Sequence, residues 1–96
     1  MIIRRKQEFS VEWDSNKSKL NFKKHHISFE TAVGVFSDIN RIEYFDHEHS
    51  LYEDRYIVIG CVGNILFVVY TVRNETIRLI SARIANEKER RLYYER

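Results

Sequence analysis

The chain has no proline at all and a single cysteine, Cys61, among 96 residues. One thiol cannot close an internal disulfide, and its isolation points to a reducing compartment. No linker, internal repeat or low-complexity tract interrupts the sequence, so its length fits one domain with a modest core. Glycine is scarce too, with three residues in the whole chain. A hairpin explains Gly60 and Gly63 better than a phosphate-cradling loop would. Long apolar runs are also missing. The longest uncharged stretch, Tyr56 to Val72, is broken by Gly60, Gly63 and Asn64, which reads as paired strands and not as a membrane span. The opening MIIRRKQEF is too short in apolar residues for a signal peptide. The expectation is a soluble, cytoplasmic protein with no membrane contact.

Hydrophobic residues make up 44% of the chain, enough for a folded core and too many for disorder. Net charge is +2, but it is unevenly spread. Residues 1–26 carry seven Lys/Arg against three acids, and residues 73–96 carry seven against four. Residues 41–55 reverse this, with two basic and five acidic side chains. Basic ends meeting on one face would attract an anion such as nucleic acid. Two ordinary solvated surfaces explain the same pattern.

EFSVEW, residues 8–13, alternates with Phe9, Val11 and Trp13 on one side, as a half-buried strand does. Asp14 is an N-cap for a lysine-rich helix running to about His25, with Leu20 as its clearest core residue. Ser28 caps a second helix, in which Phe29, Ala32, Val33 and Phe36 recur at helical spacing. A short strand over 41–45 and an exposed acidic loop, DHEHSLYED, follow. Residues 55–62 and 65–72 are β-rich runs joined by a two-residue turn at Gly63-Asn64. A turn around Arg73-Asn74-Glu75 leads into a strand over 76–84. Asn86 and Glu89 then make a capping box for a last helix. The order predicts an α+β fold, a mostly antiparallel sheet with two N-terminal helices packed on one face and a C-terminal helix.

Two arginines stand out in RLISARIANEKERRLYY, residues 78–94. Arg78 lies inside an apolar strand and Arg83 at its end, where an unpaired buried guanidinium costs several kcal/mol or more. An open hollow on the uncovered sheet face would make both tolerable. Simple alternation puts them on opposite faces, so a bulge, or Arg83 turning into the helix cap, is required to bring them together.

The sequence resembles the BrnT toxins of type II toxin–antitoxin systems, which have a RelE-like fold. The resemblance is carried by Val11-Glu12-Trp13-Asp14 with Lys17, by Asn21, Lys24 and His25, and by Ser28-Phe29-Glu30. It continues through Glu53-Asp54-Arg55-Tyr56, Ile59-Gly60 and Val68-Val69-Tyr70-Thr71. It closes on Ile77-Arg78-Leu79-Ile80-Ser81-Ala82-Arg83, Ala85, Glu89-Arg90 and Tyr93. Ser15 replaces a frequent proline, and His26 stands where the family usually has glycine. Glycine there would suit a left-handed helix C-cap, so His26 implies mild strain or a different exit.

What the resemblance implies is an endoribonuclease that uses no metal or other cofactor and suppresses translation and growth. Its partner would be a BrnA-like antitoxin, a small DNA-binding protein through which operator DNA is reached. Attack by the RNA 2′-hydroxyl needs a proton acceptor, a proton donor and cations for the phosphorane charge. Arg78 and Arg83 are candidates for that charge; the alternative is structural pairing with Glu53, Asp54 or Glu89. His25 is the acid–base candidate, or else a helix C-cap. Tyr93 would orient or protonate the leaving group unless it is simply packed, and Glu53 is a candidate base. Lys17, Lys23, Lys24, Arg90 and Arg91 are candidate RNA phosphate contacts. Asp46, His47, Glu48 and His49 offer metal-ligand chemistry, but two histidines on a loop without a spaced third ligand do not make a metal site. A degenerate, non-catalytic binding module that meets only antitoxin and operator remains the other reading.

Overall fold

The computed structural model of the chain describes residues 2–4 and 9–95. Glu8, expected in the first strand, lies outside the described residues, as does the side chain of Phe9. The elements are β1 (Ile2–Arg4), β2 (Phe9–Glu12), α1 (Ser15–His25), α2 (Phe29–Ala32), a 3₁₀ segment (Val33–Ser37), β3 (Ile42–Phe45), β4 (Tyr56–Val62), β5 (Asn64–Arg73), β6 (Thr76–Ile84) and α3 (Glu87–Tyr94). One mixed sheet has the order β1-β2-β6-β5-β4-β3, antiparallel except where β2 runs parallel to β6. Among the described residues no helix is long and apolar enough to cross a membrane.

Central strands bury both of their faces, which is why β4 and β5 read as continuous apolar runs. One face carries Val11, Val58, Leu66, Val68, Tyr70, Leu79 and Ala82 against Phe29, Ala32, Val33, Val35 and Phe36. Gly60 lets the 3₁₀ segment approach β4, since a Cβ there would lie 2.9 Å from that of Val35. The second face gathers Ile57, Ile59 and Ile65 under Ala85 and Tyr93, so α3 covers only part of it.

Asp14 caps α1, Ser28 caps α2, and Asn86 with Glu89 forms the capping box of α3, each as the sequence predicts. The interior of α1 departs from expectation. Leu20 is 66% exposed, and the buried residue is Asn21. Strand β2 pairs with β6 only over Thr76–Arg78, so among the described residues the margin of β6 beyond Arg78 has no neighbouring strand. Asn21 fills that place. Its Oδ1 accepts from the Ala82 N–H at 3.1 Å, and its Nδ2 donates to the Ala82 carbonyl at 2.8 Å and to the Ile27 carbonyl at 3.0 Å. Both N-terminal helices were expected on one face. The apolar core on that face comes from α2 and the 3₁₀ segment, while α1 is tied to the sheet margin by an amide.

Two turns and a bulge fix the register. The β4–β5 turn centres on Gly63 alone (φ 74°), with Val62 facing Asn64, one residue tighter than a Gly63-Asn64 turn. Asn74 (φ 52°) and Glu75 (φ 64°) are both left-handed and close the β5–β6 hairpin. Further along that ladder Val69 faces Ser81 but Tyr70 faces Leu79, which leaves Ile80 as an extra residue. The bulge lets Leu79 and Ala82 both reach the same core despite their parity. It also places Arg78 opposite Thr71 and Arg83 opposite Phe67, on the face away from that core.

Candidate active site

Where α3 stops covering the second face, the sheet is left open as a hollow of about 330 Å³. Its floor is apolar, built from Ile57, Phe67 and Val69, and its rim is polar, with Asp46, Glu48, His49, Arg55, Ser81 and Arg83. The loop between β3 and β4 supplies the wall opposite Arg83. Asp46 begins that loop, buried, with its backbone N–H bonded to the Arg55 carbonyl at 2.8 Å. The Asp46 carboxylate lies 3.0 Å from His49 Nδ1 and also accepts the His49 N–H at 3.3 Å. A carboxylate on Nδ1 fixes the imidazole plane and leaves Nε2 as the nitrogen open for proton transfer.

Arg83 crosses the floor with its guanidinium 4.1 Å above the Phe67 ring. Its two terminal nitrogens donate to both Glu89 oxygens at 2.8 and 2.9 Å, a fork-to-fork pair. The hydrogen bond to Glu89 raises the Arg83 pKa against the effect of burial. Burial alone would push the Glu89 carboxyl up, but the bonds from Arg83 and from the Asn86 N–H hold it below the usual carboxylate range. Arg78 is paired as well, with Glu12 of β2 at 2.9 Å. Both arginines of β6 are thus in ion pairs, and the hollow that forms is of mixed charge. Glu89 holds Arg83, while Asp46 and Glu48 share the hollow with Arg55.

Residues 13–89 match the family described as "Ribonuclease toxin, BrnT, of type II toxin-antitoxin system". This chain belongs to the BrnT family. Its fold is similar to the crystal structure described as that of the Brucella abortus ribonuclease toxin, BrnT, with a TM-score of 0.60 and 24% identity. The similarity covers 82% of this chain and 99% of that one. No curated protein matches the chain significantly.

In this BrnT-family chain the residues expected to act together are only partly gathered. Arg83 lines the hollow, but Arg78, on the same face, stands opposite a β5 residue four positions away, about 13 Å along the strand. Glu53 pairs with Arg73 at 3.0 Å in a neighbouring depression that shares His49 and Arg55 with the hollow. Tyr93 packs under the sheet and donates its hydroxyl to Asp38 at 2.5 Å, away from the hollow. Lys17, Lys23 and Lys24 are exposed on α1, and Arg90 and Arg91 on α3, where Arg91 pairs with Glu87 at 2.8 Å. Sequence reasoning missed the Asp46–His49 pair and Arg55 as rim residues. The three-residue spacing of Asp46 and His49 is the available signal, and it reads as readily as metal chemistry. Among the described residues, no three His, Cys, Asp or Glu side chains converge as metal ligands would.

His25 does not line the hollow. It is half-buried at the end of α1, where burial first, and then the charges of Lys24, Arg83 and His26, lower its pKa from 6.5. The unfolded chain thus binds the His25 proton more readily than the folded one. Its contribution to stability is full above the ordinary value and is lost as pH falls through the folded one. An NMR titration is expected to place this imidazole below 6.5. His25→Gln should flatten the decline of the thermal midpoint below about pH 6.5. A midpoint at or above the ordinary value would contradict the assignment.

Proposed function

We infer that this toxin is a metal-independent endoribonuclease of the cytoplasm, with the RelE-like chemistry that its resemblance implies. It cuts RNA, suppresses translation and growth, and is neutralised by a BrnA-like antitoxin that carries the complex to operator DNA. The observation behind this reading is the convergence of Arg83, Arg55 and a carboxylate-oriented His49 on one hollow sized for a phosphodiester. In this mechanism the RNA 2′-oxygen attacks phosphorus and loses its proton as a 2′,3′-cyclic phosphate forms. The P–O5′ bond breaks and the leaving oxygen takes up a proton. The acceptor role falls to His25, whose pKa is lowered by burial and then by the charges of Lys24, Arg83 and His26. It lies outside the hollow's lining, so the strand must bring its 2′-hydroxyl to it. His49, backed by Asp46, suits the donor role. Arg83 stabilises the phosphorane once phosphate oxygens replace the Glu89 carboxylate on its fork.

One observation favours the other reading, a non-catalytic module for antitoxin and operator. Both arginines of β6 are already in ion pairs. Controlled expression of the chain, alone and with its neighbouring gene, separates the two through growth and RNA integrity. The nuclease reading expects arrest and cleaved RNA from the chain alone, and rescue by the neighbour. His49→Ala should slow cleavage by about 10²-fold with the fold retained, since general acid–base groups contribute at least that much. Normal growth with intact RNA would leave the binding module.

A further inference from the structure

We propose that the outer face of α1 is a stacking site for single-stranded RNA, with Phe22 and His26 as the rings and Lys19 and Lys23 as phosphate contacts. This rests on the nuclease reading and extends it to where the substrate strand lies.

The helix is inverted relative to an ordinary amphipathic one. Its buried residue is an amide, and the aromatic Phe22 is 51% exposed. Residues 19, 22 and 23 follow the spacing that puts side chains on one helical face, and His26, the C-cap, joins that face through its contact with Phe22. The Phe22 and His26 rings meet edge to face with centroids 6.1 Å apart. His26 is held in the left-handed region (φ 62°, ψ 23°), which glycine would occupy without strain. It is exposed, so packing in the core does not account for that choice.

Charge identifies the occupant. The segment Ser15–His25 has four lysines and no acid, and none of the four is in an ion pair among the described residues. The C-terminal helix dipole accounts for cations at Lys23 and Lys24. It accounts for neither Lys19 nor an exposed ring pair beside the lysines. A cationic face with exposed rings fits a polyanion whose bases are free to stack, which single-stranded RNA is and a duplex is not. The track also runs towards the hollow's Arg83, because Asn21 of the same helix is bonded to the backbone of Ala82, the residue before it.

The probe is a short, fully 2′-O-methylated single strand of mixed sequence, which the wild-type toxin can bind but has no 2′-hydroxyl to cleave. By fluorescence anisotropy, Phe22→Leu should weaken binding about tenfold, the scale of one lost base stack. Binding to a duplex of the same sequence should not change. His26→Gly should raise the thermal midpoint by about 2–5 °C while weakening the single strand, a combination that a purely structural residue would not give. Lys23→Ala should make the salt dependence shallower by about 0.7 in logarithmic slope. Wild-type affinity in Phe22→Leu would overturn the platform and leave the nuclease intact. Loss of antitoxin binding with RNA affinity unchanged would overturn it too, and assign the face to the antitoxin. A wild-type chain that binds no single-stranded RNA would instead remove the nuclease reading, and the platform with it.

Discussion

Arg83→Lys is expected to cut RNA about 10³-fold more slowly than wild type, equivalent to about 4 kcal/mol of lost transition-state stabilisation. Lysine keeps the positive charge but replaces a planar fork with a point charge, so one phosphate oxygen is contacted in place of two. It also keeps a partner for Glu89, whose side chain is only 12% exposed, so the fold should survive. Arg83→Ala is the blunter change. It leaves Glu89 short of water with the Asn86 N–H as its remaining partner, at a cost of about 1–3 kcal/mol. The measurement is cleavage of a labelled RNA by the lysine variant, beside its circular dichroism spectrum. A well-folded lysine variant that cleaves at the wild-type rate would show that Arg83 merely anchors α3.

The comparison matters because the bidentate Arg83–Glu89 pair serves two ends. It ties β6 to the first turn of α3, and Glu89 also closes the capping box through the Asn86 N–H. A phosphate that takes Glu89's place on the guanidinium leaves the carboxylate with its backbone donor. The fold can therefore tolerate the exchange that the proposed chemistry requires. Arg78 lacks that arrangement. Its partner Glu12 lies on the adjacent parallel strand, outside the hollow, and Arg78 is better read as holding β2 to β6.

What could be read from the chain was local. Asp14, Ser28 and the Asn86/Glu89 box name their own helix starts, because a cap is a bond between residues two or three apart. The two β-rich runs that meet at Gly63-Asn64 likewise announce a hairpin. The Ile80 bulge could not be read, because it depends on which residue of β5 faces which residue of β6. Strict alternation separated Arg78 from Arg83, and the one extra residue restored them to one face. Leu20 misled for a related reason. Apolar residues are assumed to face inward, but the sheet margin beside α1 presents backbone N–H and C=O groups, which an amide satisfies and a leucine does not. The hollow's balance of charge was also hidden, since loop acids and a helix acid reach it from distant parts of the sequence.

Asn21→Asp is the change expected to destabilise the fold most for its size, by about 3 kcal/mol at neutral pH. The substitution is nearly isosteric, so no cavity forms and only the bonding changes. A carboxylate can still accept from the Ala82 N–H, but its other oxygen then faces the Ala82 and Ile27 carbonyls, both of which lose their donor. Against the 5–15 kcal/mol typical of a whole domain, about 3 kcal/mol is a large share. The loss should shrink as pH falls, because a protonated carboxyl can donate to one of those carbonyls. Two carbonyls raise the folded pKa of the introduced acid, so relief begins above the usual carboxylate range and is complete below it. Urea denaturation of the wild type and the variant across about pH 4–7 measures both parts. A pH-independent deficit would mean that Asn21 acts through packing alone. No deficit at all would mean that water replaces the amide at the margin of β6, and that α1 is held there by something else.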